Sequence, residues 1–197
     1  MIARGVRREK SKLAGGIELF SVSEVVIHEG RSEMGVLTSA KLLEHYDAFV
    51  KDIELIEMGG MMMRSVSSRA EHAESADFYK LLKQSLQTMQ RHAGENSRWK
   101  DVLRAWWGIN IARISGEEAN LKYDTNGEKL VADGRYYWND EQSALTRADR
   151  GRIDANHIKM MRIMASGPAE LSLKVAGVDE LIDEILYVSR CVEKITM

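Results

Sequence analysis

Arg147, Arg150, Arg152, Lys159 and Arg162 place five cations within sixteen residues, against only Asp149 and Asp154. Cations at that density suit polyanion binding, because guanidinium and ammonium groups neutralise backbone phosphates and release their counterions. Lys174 extends the set towards the C-terminus. Arg7 and Arg8 belong to a second basic stretch, residues 1–12, with five basic side chains and one acidic one. Residues 169–197 have the opposite balance, six acids against three bases. The bland reading of each cluster is a solvated helix face.

Other groupings point elsewhere. Arg98-Trp99-Lys100 and Arg104-Ala105-Trp106-Trp107 interleave basic and aromatic residues, a pattern that on an open groove stacks bases and holds phosphates. Their helical spacing instead lines up Trp99, Leu103, Trp106 and Ile114 as core, with Trp107 the tryptophan left partly exposed. Met61, Met62 and Met63 form a soft apolar cluster able to adapt to several surfaces. Together with Trp107 they are the candidate partner-binding residues, with core filling as the alternative. The five histidines are scattered, without the spacing that presents two imidazoles on one helix face, and Cys191 is the single cysteine. No metal site, internal disulfide or cofactor is expected. No nucleophile elbow, phosphate-cradling glycine loop or dinucleotide fingerprint occurs, so an enzyme is not expected either.

The elements that must position these residues are mainly helical. One proline in 197 residues, with long runs of good helix formers, predicts a mainly α fold. Residues 1–16 form a mobile basic arm. Residues 17–27 favour a strand, with a short helix from Ser21 as the alternative. Thr38 or Ser39 caps a helix to about Met58. Ser68 and Glu71 have capping-box spacing for the next helix, and Asn96 or Ser97 starts a third that ends at Gly116. Asn126-Gly127 and Asp133-Gly134 are strong two-residue hairpin signals and predict a three-stranded antiparallel meander in which Tyr123, Leu130 and Tyr137 share a face. Asn139 with Gln142 begins a helix to about Asp149, and another spans residues 154–165. The expected organisation is an arm (1–16), a helical domain (17–118), a β-meander (119–138) and a C-terminal helical region (139–197).

The C-terminal region holds a short helix from Pro168 to Ala176, a turn at Gly177, and a second helix from Val178. This has the outline of a helix-turn-helix. On this outline and on Lys41-Leu-Leu-Glu-His-Tyr-Asp47, the chain resembles phage late-gene transcription regulators, including antiterminator-like proteins. That resemblance implies binding to promoter DNA or RNA polymerase, in the host cytoplasm if the protein is phage-encoded.

The longest apolar runs fall far short of a membrane span, and the N-terminus lacks a secretory apolar region, so a cytoplasmic protein is expected. The resulting expectation is a regulatory protein that binds nucleic acid or associates with RNA polymerase. The alternative is a helical protein–protein interaction protein, an adaptor, inhibitor or structural subunit, that covers a partner or a second copy of itself.

Overall fold

The β-branched run Val22, Val25, Val26 and Ile27 cannot satisfy its backbone groups alone, and its partner comes from the segment expected to be a helix. In the computed structural model, which describes residues 13, 15–28, 35–70 and 76–194, β1 (Ser21–His28) pairs antiparallel with β2 (Val36–His45). The helix predicted over residues 38–58 is therefore corrected. Thr38 does not cap; its hydroxyl donates to the Val26 carbonyl across the ladder, at 3.1 Å. Ladder pairing has outweighed the three-and-four spacing of apolar residues, as tertiary context overrides local pattern. A 3-10 turn follows (Asp47–Lys51). Then α1 (Ile53–Ala70) begins, with the Asp52 carboxylate accepting from the Glu54 and Leu55 amides at 2.9 and 3.3 Å. Phe20 and Phe49 stack with ring centroids 4.3 Å apart, beside buried Leu37, Tyr46, Leu55 and Met58. These residues form the core of the first of two units, within residues 1–59; the second comprises residues 60–197.

The second unit is built around α3 (Trp99–Ile114), with eleven of its sixteen residues buried. A helix apolar on every side must be surrounded, and α3 packs against α2 (Ala76–His92), α4 (Ala155–Ser166), α5 (Ala169–Leu173) and α6 (Val178–Lys194). Its one buried amide is satisfied: Asn110 Nδ2 donates to the Trp106 and Met164 carbonyls at 2.8 and 2.9 Å. Trp106 Nε1 donates to the Gly167 carbonyl at 2.9 Å, tying α3 to the α4–α5 junction. The cap expected at Ser68 is corrected: Ser68 lies inside α1, where its hydroxyl donates to the Ser65 carbonyl at 3.1 Å, while its capping-box partner Glu71 is outside the described residues.

The antiparallel meander is overturned. β3 (Asn120–Asp124), β4 (Tyr136–Asn139) and β5 (Ala144–Arg147) form a sheet of order β3-β5-β4, with β3 parallel and β4 antiparallel to β5. At Asn126-Gly127 the Asp124 carboxylate accepts from the Asn126 and Glu128 amides, both at 2.9 Å, and only Gly127 takes a positive φ. The loop is thus one residue longer than a two-residue hairpin, and Tyr123 bridges to Lys129 instead of Leu130. The helix expected from Asn139 is also absent. Asn139 Oδ1 does accept from the Gln142 amide, at 3.1 Å, but Ser143 turns to φ +46° and the chain returns as β5.

The helix expected over residues 154–165 is α4, capped by the Asp154 carboxylate, which accepts from the Asn156 and His157 amides. The helix-turn-helix is corrected too. Its first member, α5, is only five residues long. The inner row of α6 (Val178, Ile182, Ile185, Val188 and Val192) is buried and α6 packs on α3, while Asp183 faces outward in an ion pair with Arg98. The pair closes the core, and its outer face begins with the acids Asp179, Glu180 and Asp183. Among the described residues no helix is long and apolar enough to cross a membrane.

Candidate nucleic-acid interface

Strand β4 alternates. Tyr136 and Trp138 point into the core, so Tyr137 between them stands outward and is 48% exposed. Beside it runs the loop of residues 148–153, pinned to the β4 backbone: the Tyr136 amide donates to the Ile153 carbonyl at 2.8 Å and the Ile153 amide to the Tyr136 carbonyl at 3.0 Å. These two hydrogen bonds set Arg150 and Arg152 on the rim of a groove of about 550 Å³. Its far wall is α6, which contributes Glu184 and Tyr187, the latter 51% exposed.

The charges of this groove are mixed. Arg150 is exposed and makes no ion pair among the described residues. Arg152 is bound to Glu184 at 3.0 Å, which holds the loop to α6 and partly neutralises it. Asp140 lies near enough to act on Tyr187, and accepts from Trp138 Nε1 at 2.8 Å. A hydrogen bond to Cys191 holds the Tyr187 phenol above its ordinary value of 10.0, so it stays neutral at physiological pH. Two aromatic faces next to two guanidinium groups can stack planar bases and engage the phosphates between them.

The other residues singled out in the sequence are dispersed. Arg7 and Arg8 lie outside the described residues. Arg147 is exposed at the end of β5, opposite Tyr136. Lys159 is exposed on α4, and Lys174 is exposed at the C-terminal end of α5. Arg162 lines a different cavity, of about 430 Å³, where its Nε and Nη2 donate to the Leu121 carbonyl. Among the described residues of the set, Arg150 and Arg152 alone share a groove. Met62 and Trp107, expected at a partner surface, are both 0% exposed and fill the core; Trp107 Nε1 donates to Glu193 Oε1 at 3.3 Å. Met63 is half-buried and Met61 borders a cleft beside α6. The described residues hold no cluster of three or more His, Cys, Asp or Glu placed to bind a metal ion.

Tyr137 and Tyr187 did not stand out as site residues in the sequence. The signal for Tyr187 was an aromatic in the polar row of α6, among Asp179, Glu180, Asp183 and Arg190. For Tyr137 it was the middle position of an alternating aromatic triplet.

The fold and groove define a mainly helical protein with a small mixed sheet and an aromatic, partly cationic surface groove. No family model matches the chain. It is similar to the DNA repair protein RecO of Bifidobacterium longum, 31% identical over 145 residues that cover 67% of this chain and 60% of that protein. The RecO protein of Dehalococcoides mccartyi is 23% identical over 137 residues, covering 68% and 52%. That of Alkaliphilus metalliredigens is 26% identical over 121 residues, covering 61% and 47%. The chain spans about half to three fifths of the length of these curated relatives.

Proposed function

We propose that this chain binds DNA, with the groove between Tyr137 and Tyr187 as the contact for single-stranded segments, and that it serves DNA repair. The observation that carries the proposal is the pairing of two half-exposed tyrosines with Arg150 and Arg152 on one groove. Unstacked bases suit such a surface, whereas a duplex hides its base faces. The relatives' description as DNA repair proteins supports DNA as the nucleic acid and favours repair over the promoter binding that the likeness to phage regulators implies.

The test is fluorescence anisotropy of a labelled single-stranded oligonucleotide at several salt concentrations. Tyr137→Ala with Tyr187→Ala removes both stacking faces, at about 1–3 kcal/mol per base, so affinity should fall at least tenfold. Arg150→Glu with Arg152→Glu should weaken binding and flatten its salt dependence. Unchanged affinity in the tyrosine variant would refute the groove.

A second reading, a protein–protein interaction protein without nucleic-acid binding, is favoured by one feature of the first unit. Its strand pair, the 3-10 turn and the start of α1 expose Val26, Leu43, Val50 and Ile53, all more than half accessible. Absence of DNA binding by the intact chain would leave that reading standing.

A further inference from the structure

The second half of α1 and the end of α6 flank a cleft of about 390 Å³ that the groove does not use. Arg64, Arg69 and Arg190 line it, together with Met61, Ser65, Ser68 and Glu193. Arg64 and Arg190 are exposed and form no ion pair among the described residues. Arg69 is held in place: its Nη1 donates to the carbonyl and hydroxyl oxygens of Ser65 at 3.0 and 2.6 Å, and its Nη2 to the Glu193 carbonyl at 3.4 Å. Its Nε–H is buried with no hydrogen-bond partner, a donor left over at a site where buried donors are ordinarily paired.

The lone carboxylate lining the cleft is tied to the core through one of its oxygens. Glu193 Oε1 accepts from Trp107 Nε1, and Trp107 is fully buried. The Ser65 hydroxyl accepts from Arg69, which leaves its own proton to donate. Three guanidinium groups repel one another unless an anion stands among them, and their planar forks match the oxygens of phosphate.

We infer that this cleft binds a phosphate group, held between Arg64 and Arg190 with Arg69 and Ser65 as its floor. The cleft shares no lining residue with the Tyr137–Tyr187 groove, and the inference does not rest on that groove. The same chemistry is offered by free phosphate and by a nucleic-acid backbone, and the experiment separates the two sources.

Thermal unfolding of the full chain is followed with inorganic phosphate against chloride at equal ionic strength. Phosphate should raise the wild-type melting temperature by about 3 °C near saturation, by preferential binding to the folded state. Arg64→Gln with Arg190→Gln should cancel most of that rise, and the fully charged Arg64→Lys with Arg190→Lys should keep part of it. Phosphate also stabilises proteins by exclusion from their surface. An equal rise in wild type and the glutamine variant therefore overturns the proposal, as does no rise in either. If the glutamine variant melts early in chloride, phosphate quenching of tryptophan fluorescence, read through the Glu193–Trp107 bond and compared between wild type and the lysine variant, decides instead. A single-stranded oligonucleotide that suppresses the phosphate-dependent rise identifies the backbone as the source; an undiminished rise identifies free phosphate. Tyr137→Ala with Tyr187→Ala should leave the rise intact, so failure of the groove reading and failure of this one remain distinct.

Discussion

Gly151 lies so close to the backbone of Tyr136 that a Cβ on it would overlap the Tyr136 nitrogen, carbon and oxygen. A main chain held by two hydrogen bonds to Ile153 cannot step aside as a flexible side chain would. Gly151→Ala should therefore separate the 148–153 loop from β4, at a cost of about 2–3 kcal/mol from overpacking and lost hydrogen bonds. Urea denaturation measures the loss. Because Arg150 and Arg152 flank this glycine, the same change should weaken oligonucleotide binding although it removes no charge. A variant as stable as wild type would show that the loop has room to move.

A second glycine sets the spacing of the central helix pair. A Cβ at Gly108 on α3 would stand 2.9 Å from the Ser189 carbonyl oxygen and 3.0 Å from its Cβ on α6. In an open helix, Gly→Ala stabilises by about 0.8–1 kcal/mol. At Gly108 the sign should reverse, with a net loss of about 1–2 kcal/mol as α3 and α6 are pushed apart. Gly108→Ala by urea denaturation gives the test, and a stabilised protein would mean that α6 yields.

The helices that could be read from the sequence are the ones whose local signals agree with their surroundings. α4 has its cap at Asp154, and α3 buries Trp99, Leu103 and Trp106 as expected, together with Trp107, which was expected to stay partly exposed. Residues 36–51 are different. Leu42, Leu43, Tyr46 and Val50 keep helical spacing, yet β1 needs a ladder, so Leu42, Leu43 and Val50 end up exposed. Local chemistry also misled at the turns. Asp124 captures the first loop with its own carboxylate, and the Val131 amide of the second donates to the Tyr136 hydroxyl at 2.9 Å. Of the groove, Arg150 and Arg152 were legible as cations because only Gly151 separates them in the chain. Tyr187 was not, since the ion pair that brings α6 to the loop spans thirty-two residues.

His92 provides a pH-dependent contact. Its Nδ1 is 2.9 Å from Glu95 and its Nε2 3.1 Å from Glu170, which also receives Arg91 at 3.0 Å. Burial opposes the imidazolium charge, but hydrogen bonds and attraction to Glu95 and Glu170 outweigh it and raise the His92 pKa above 6.5. Its contribution to stability is thus complete below pH 6.5 and is lost as pH rises through the raised folded value. Glu170 behaves oppositely: burial is outweighed by His92 and Arg91, its pKa falls below 4.5, and its contribution is lost only as pH drops through that lowered value. The α2–α5 contact should therefore be firmest between about pH 4.5 and 6.5. His92→Gln should remove the decline in stability between pH 6 and 8 that urea denaturation shows for wild type. Parallel pH profiles for the two proteins would contradict this.

Glu184 should act as a brake on the groove. It holds Arg152 at 3.0 Å, although the arginine side chain is 81% exposed, so solvent already screens the pair. A phosphate approaching Arg152 must displace or share that partner, and it also meets the carboxylate's repulsion. Glu184→Gln keeps the shape and a hydrogen-bond acceptor while removing the charge. Affinity for a single-stranded oligonucleotide should rise about twofold to fivefold, with a steeper salt dependence because one more cation is free to release counterions. Arg152→Gln should lower affinity in the wild-type background, and adding it to Glu184→Gln should erase the gain. If Glu184→Gln weakens binding instead, the carboxylate's main role is to hold the 148–153 loop against α6, and the rigidity of the groove matters more than its charge.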